Sequence, residues 1–300
     1  MAYTFTEKQQ REIIESWGDD FYNKLLQNID IYADKWQLSD FELVEYYSIN
    51  AILFCKSELY GECVLKIGGD WQDYEFAAEY NTLREYNGRK YVKAYESDKD
   101  ISTRKKVMLI ERVRPGKRLS EEQSFEKRLD VFSELFNGLH IESANPSQYT
   151  SYVNWVCEAA ESTNQREDLQ GLRVYMQKAK ELCLELTKTY NKQMLLHIDI
   201  FGDNIVSCGD GYRIIDPKGI IGDPIFETGQ FIFAECCERG IEPDKTSIIF
   251  DYLEKSLNIP AKILKQCFYV ETVRFLCHET VDDGPSDWDM DMIKFAETFI

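Results

Sequence analysis

His197, Asp199 and Asn204 stand in the spacing His-x-Asp-x-x-x-x-Asn, and Asp216 follows twelve residues after Asn204. Together they offer a carboxylate that can take a proton from a hydroxyl, and two oxygen ligands for a hard divalent cation. Those are the groups phosphoryl transfer asks of a protein, whose part is otherwise positioning and charge neutralisation. Two ligands of one cation must return to one place. Here Ile205–Cys208 and Tyr212–Ile215 read as short strands around Gly209-Asp210-Gly211, a hairpin that brings Asp216 back to Asn204. A lone His-x-Asp is more often an ordinary hydrogen-bonded pair, and an Asp before Pro217 suits a turn equally well. The reading therefore needs partners elsewhere in the chain.

One stands in Val64-Leu65-Lys66-Ile67, where a single lysine interrupts an apolar strand and needs a reason to be there. A strand lysine reaching nucleotide phosphates, oriented by a helical glutamate, supplies it. The next helix offers Glu75 and Glu79; Glu79 lies on the inward stripe with Leu83 and Tyr86 and is the better partner.

The elements that must position these groups follow from periodicity. Ile13, Ile14, Trp17, Phe21, Leu25 and Leu26 predict one amphipathic helix over Glu7–Leu26. Strand patterns follow at Phe41–Ile49, Ala51–Ser57 and Glu62–Ile67, then a helix over Asp73–Tyr86 stopped by Asn87-Gly88, then strands at Tyr91–Tyr95 and Lys105–Glu111. Beyond Pro115-Gly116 the pattern turns helical: Glu121–Leu139, Gln148–Ala160, Gly171–Tyr190, Glu227–Arg239, Lys245–Leu257, Pro260–Cys277 and Asp287–Phe299. Strands first and helices later predict an α+β chain in two lobes, 1–114 and 115–300, joined near Arg112–Arg118.

In this order, strand Lys66, helix Glu79, Ile110–Gly116, the Leu139-His140 pair, the His197/Asp199/Asn204 loop and Asp216, the sequence resembles the aminoglycoside phosphotransferase and choline-kinase-like superfamily. Ile215-Asp216-Pro217-Lys218-Gly219, with Gly222-Asp223-Pro224 and Phe226-Glu227 close behind, is similar to its streptomycin 6-kinase and hydroxyurea kinase branch. The similarity covers about Leu43 to Phe233, and Leu196–Glu227 is its specific part. It implies a protein-kinase-like fold with a small antiparallel-sheet lobe and a larger helical one. It further implies a kinase that moves phosphate from ATP, GTP not being excluded, with Mg²⁺, to a hydroxyl of a small molecule such as an aminoglycoside or aminocyclitol.

Carried over residue by residue, Lys66 holds phosphates and Glu79 orients it. Ser48 and its neighbours cover the phosphates, and the backbone from Ile110 to Val113, Glu111 and Val113 foremost, forms the adenine hinge. Asp199 is the catalytic carboxylate with His197 as its scaffold, Asn204 and Asp216 bind metal, Lys218 stands by the transferred phosphate, and Asp223 braces the loop. Three departures stand out: Ile198 occupies a place where the family usually has Gly, Glu227 stands where the branch often has Asp, and Glu45–Asn50, over the phosphates, contains no glycine. Other readings are a metabolic kinase for an amino alcohol or sugar, and a nucleotide-binding protein of the same fold without turnover. A protein kinase is disfavoured, since no Ala-Pro-Glu segment follows Asp216.

The 300 residues carry 35 basic and 53 acidic side chains, a formal net charge of −18. Such a balance opposes nucleic-acid phosphates and favours cationic small molecules. Apolar runs are too short to span a membrane, and nine cysteines without a Cys-x-x-Cys pair suggest reduced thiols in a cytoplasm. Asp282, Asp283 and Asp287 lie in an acidic stretch that could face a cationic acceptor, or simply lead into a helix whose first turn favours Asp.

Overall fold

The computed structural model describes residues 3–44, 50–69, 73–100, 105–209, 211–237, 243–280 and 284–300. The chain divides into two compact units, Met1–Gly116 with Cys208–Arg213, and Lys117–Ser207 with Ile214–Ile300.

In the first unit the expected single helix is two, α1 (Glu7–Trp17) and α2 (Asp19–Lys35). The break falls at Gly18, whose φ of 84° ends α1 and admits α2, a conformation open to glycine at little cost. Apolar spacing survives the break because Ile13, Phe21, Leu25, Ile29 and Tyr32 all point inward. Five strands follow: β1 (Leu38–Leu43), β2 (Asn50–Ser57), β3 (Gly61–Gly68), β4 (Ala94–Asp100) and β5 (Lys105–Glu111). They pair antiparallel in the order β1-β2-β3-β5-β4. Leu53, Leu65, Val107 and Leu109 form one core with Ile13, Leu25 and Ile29, so α1 and α2 cover one face of the sheet. Side chains alternate along a strand, and Lys66 therefore leaves on the face opposite Leu65 and Ile67. Between β3 and β4 runs α3 (Asp73–Tyr86), stopped as expected by Asn87 and Gly88, both at positive φ.

The second unit is mainly helical: α4 (Phe125–Phe136), α5 (Tyr152–Gln165), α6 (Arg173–Leu186), α7 (Glu227–Cys237), α8 (Pro243–Leu257), α9 (Ala261–Glu279) and α10 (Asp287–Glu297). Helix α9 is buried nearly all round by α5, α6, α7, α8 and α10, so its apolar residues mark no single stripe. At Gly229 a Cβ would stand 2.6 Å from the Cys267 carbonyl oxygen, so glycine sets how closely α7 lies on α9. A buried two-pronged pair, Arg128 Nε to Glu235 Oε1 at 2.9 Å and Nη2 to Oε2 at 2.7 Å, ties α4 to α7.

Several short strands escaped the sequence patterns: β6 (Pro115–Arg118), β7 (Thr150–Ser151), β8 (Met194–Leu196) and β11 (Ile220–Gly222); β9 (Ile205–Cys208) and β10 (Gly211–Ile214) are those of the expected hairpin. Strand β11 pairs parallel with β7 and antiparallel with β8. It thereby places the segment after Asp216 beside the strand that leads into His197.

Candidate active site

Strand β8 ends at Leu196, and the turn that follows is held by its own polar groups. Nδ1 of His197 accepts from the Asp199 amide at 3.0 Å, and Nε2 stands 2.8 Å from the Ile215 carbonyl oxygen. An imidazole with its proton on Nε2 satisfies both bonds at once. His197 thus joins the loop to the strand that carries Asp216. Lys218 N donates to the His197 carbonyl at 3.0 Å, and Ile215 N to the Asn204 carbonyl at 3.0 Å, so Asn204 and Asp216 are drawn together.

Between His197 and Asp199, Ile198 adopts φ 66°, the left-handed region that a β-branched residue avoids. What holds it there is Glu227, at the start of α7. Glu227 Oε1 accepts from His197 N at 2.5 Å and Oε2 from Ile198 N at 3.1 Å, from a side chain with no exposure to solvent. His140 Nε2 lies 3.5 Å from Glu227 Oε1, within ion-pair distance when the imidazole is protonated but without hydrogen-bond geometry. Burial pushes the Glu227 carboxyl up, but His140 and His197 outweigh it and hold the group below its ordinary value. Asp223, expected as the brace of this loop, binds elsewhere. Its carboxylate accepts from Lys192 N at 3.1 Å, just before β8, and from Ile225 N at 3.2 Å, capping the turn into α7.

Asp199 itself is partly buried. Burial pushes its carboxyl up against the pull of Lys218 and His197; Asp216 adds to the rise and Arg274 opposes it. Asn204 Nδ2 donates to the Asp199 carbonyl at 2.8 Å and stands 3.4 Å from Oδ2, which leaves the Asn204 amide oxygen turned away from Asp199. Gln230, one turn beyond Glu227 on α7, brings Nε2 to 3.4 Å from Asp199 Oδ1. Behind these lies a buried pair on α9: Arg274 donates from Nη2 to Glu271 Oε1 at 2.5 Å and from Nε to Oε2 at 3.1 Å. The Arg274 guanidinium also lies 3.7 Å over the Trp155 ring, and Tyr152 OH donates to Glu271 at 3.2 Å. Burial pulls the Arg274 guanidinium down; Glu271 outweighs it and keeps the group above its ordinary value.

In the first unit, Lys66 Nζ lies 2.6 Å from Glu79 Oε2, both side chains 7% exposed; of the two helical glutamates, Glu79 meets the lysine. At the end of β5 the amide of Glu111 is taken by the Lys93 carbonyl at 2.8 Å, and that of Arg112 by Glu62 at 3.2 Å. The Arg112 guanidinium stacks 3.4 Å above Phe54. Ser48, Asp282 and Asp283 fall outside the described residues. Asp287 stands in the first turn of α10, where Ser286 and Asp289 form a capping box.

Three participants went unassigned in the sequence: Glu227 as the loop's anchor, Gln230, and the Glu271–Arg274 pair. Their signal was there, since Glu227 and Gln230, and likewise Glu271 and Arg274, stand three apart in a helix and so on one face.

Residues 61–276 match the family of aminoglycoside/hydroxyurea antibiotic resistance kinases, well over half of the chain. The chain belongs to that family. This aminoglycoside/hydroxyurea kinase family member is a small-molecule kinase and has the α+β protein-kinase-like fold of several solved structures. One is Plasmodium vivax ethanolamine kinase, at TM-score 0.65 and 12% identity, covering 100% of this chain and 94% of the other. A second is a thermostable mutant of aminoglycoside phosphotransferase APH(4)-Ia in ternary complex with ADP and hygromycin B, at TM-score 0.59 and 14% identity, covering 90% and 95%. A third is choline kinase LicA from Streptococcus pneumoniae, at TM-score 0.58 and 13% identity, covering 93% and 98%. No curated protein sequence matches this kinase. No helix among its described residues is long and apolar enough to cross a membrane.

Proposed function

We propose that the protein transfers the γ-phosphate of ATP to a hydroxyl of an aminoglycoside, an aminocyclitol or a similar small antibiotic in the cytoplasm. The observation that carries this reading is the loop from His197 to Asp216, in which a partly buried carboxylate and two further oxygen donors are drawn together by backbone bonds within the family-matched region. In the first unit, proposed as the nucleotide lobe 1–114, Lys66 would bind the phosphates with Glu79 setting its position. Val113 suits an adenine hinge, because its main-chain N–H and C=O make no hydrogen bond among the described residues; the Glu111 amide is already engaged.

In the second unit, proposed as the catalytic lobe 115–300, Asp199 would accept the acceptor's hydroxyl proton. Its raised pKa makes it a better base than an exposed aspartate. His197 keeps Asp199 in place through the Asp199 amide, and Lys218 supplies positive charge beside it. The donor set at Asn204 and Asp216, an amide oxygen and a carboxylate, fits Mg²⁺. An ion held by two such donors would take the rest of its shell from phosphate and water. When bound, the ion would neutralise charge on the phosphate oxygens.

The test is mass-spectrometric detection of product from MgATP with streptomycin, hygromycin B, hydroxyurea, ethanolamine and choline, with Asp199→Asn as control. One added phosphate on an antibiotic, lost in the control, is the expected result. Phosphate on ethanolamine or choline alone would move the assignment to a metabolic kinase. No product on any of them would sink it.

A further inference from the structure

The buried amide of Gln230 is only half used. Its side chain is on α7, one turn from Glu227, and the residue is 5% exposed. Nε2 approaches Asp199 Oδ1 at 3.4 Å, whereas Oε1 is buried without any hydrogen-bond partner. Reversing the amide would not help, since it would press a carbonyl oxygen on a carboxylate oxygen, and an ionised carboxylate only accepts. The orientation is therefore fixed by Asp199, and the acceptor end is left over. Leaving a buried acceptor unpaired is costly, so such an atom asks for a donor that arrives from outside.

Resting on the reading of Asp199 as the proton acceptor, we propose that Gln230 selects the acceptor molecule: Oε1 takes a hydrogen bond from an N–H or O–H group on the position next to the one that bears the reacting hydroxyl. The two ends of one planar amide are about 2.3 Å apart, so Oε1 lies within about 6 Å of Asp199 Oδ1, a span that a hydroxyl and a second donor on the neighbouring position of one small molecule can bridge. A molecule that offers its reacting hydroxyl to Asp199 would thus bring a neighbouring donor to Oε1. Aminocyclitols, vicinal diols, hydroxyurea and primary amino alcohols carry such a donor. A quaternary ammonium alcohol does not, because its nitrogen bears no hydrogen. Specificity of this kind is steep, for a substrate lacking the donor leaves Oε1 buried and unpaired.

The experiment compares wild type, Gln230→Met and Asp199→Asn with MgATP on the five acceptors above, reading acceptor KM, ATP KM, kcat, acceptor-free ATP hydrolysis and melting temperature. Methionine keeps the length and removes both polar ends. The expected result is a rise of about tenfold or more in acceptor KM, with ATP KM unchanged. A variant with unchanged acceptor KM would overturn the inference while leaving Asp199 in its role. If ATP KM, hydrolysis and melting temperature all shift together, Gln230 merely supports the fold and the inference also fails. Competition on the wild type needs no variant: ethanolamine should inhibit phosphorylation of the preferred antibiotic more strongly than choline, and equal inhibition would count against the assignment. Retained turnover in Asp199→Asn, or no acceptor used by the wild type, would remove the underlying reading and this inference with it.

Discussion

Ile198 shows how one residue can be held against its own preference. A left-handed conformation costs an L-residue about 1–2 kcal/mol, and here Glu227 grips the amides of His197 and Ile198 while the Asp199 amide is held by His197 Nδ1 and the Ile198 side chain stays buried. The family's usual glycine would sit there freely, which gives the departure read from the sequence its physical meaning. At most sites Gly is less stable than Ala; here the order should reverse, Ile198→Gly melting above Ile198→Ala by the equivalent of about 1 kcal/mol. Equal or inverted melting temperatures would show that the position carries no strain. Glu227→Gln should cost about 2 kcal/mol at neutral pH, because two buried amides lose a charged acceptor. The native Glu227 carboxyl lies below its ordinary value, so its contribution is full above the unfolded value of about 4.3 and vanishes as pH falls through the folded one. Denaturant titrations of wild type and variant should differ most at pH 7 and converge below pH 4; a gap that widens in acid would contradict this. The left-handed turn at Ile198 and the grip of Glu227 on it were not legible in the sequence, where helical spacing could place Glu227 and Gln230 on one face but not say what they meet. Backbone strain and its support depend on atoms thirty residues apart.

Single strands and helices carry what the sequence told best. Asp73–Tyr86 forms a helix with the bounds its spacing indicates, and the choice of Glu79 over Glu75 rests on the same 3.6-residue period that puts Glu79 against Lys66. The strand β4 was placed too early, and α1 and α2 were merged, because apolar spacing does not reveal where a glycine turns the chain. Strands of two to four residues such as β7 and β11 exist only through their neighbours and leave no periodic trace. The Lys66–Glu79 pair between β3 and α3 makes a prediction of its own. Removing one partner takes a close counter-charge from a buried charge, so Lys66→Met or Glu79→Gln should destabilise by about 3 kcal/mol. The double change Lys66→Met with Glu79→Leu should recover most of that loss yet leave ATP turnover impaired. Recovery of turnover along with stability would mean that the pair serves the fold alone.

Taken as a whole, the chain's composition excluded much and chose little. A charge of −18 told against nucleic acid but could not say which cationic molecule is drawn in. If acceptors are steered by this field, kcat/KM for streptomycin should fall as NaCl rises from 20 to 300 mM, roughly in step with the shrinking Debye length, while that for uncharged hydroxyurea stays flat. Similar salt dependence for both would rule steering out. The sheet-rich unit and the helical unit are each built largely from consecutive elements. Contact between distant helices was hidden, and Gly229 is the case in point. It sits between Glu227 and Gln230, with the backbone of α9 where a side chain would have to be. Every substitution there should push α7 outward and carry the loop's anchor with it. In a saturation library under drug selection, Gly229 should therefore drop out as completely as a catalytic position, and a map of tolerated alleles would mark as essential a residue that never meets a substrate.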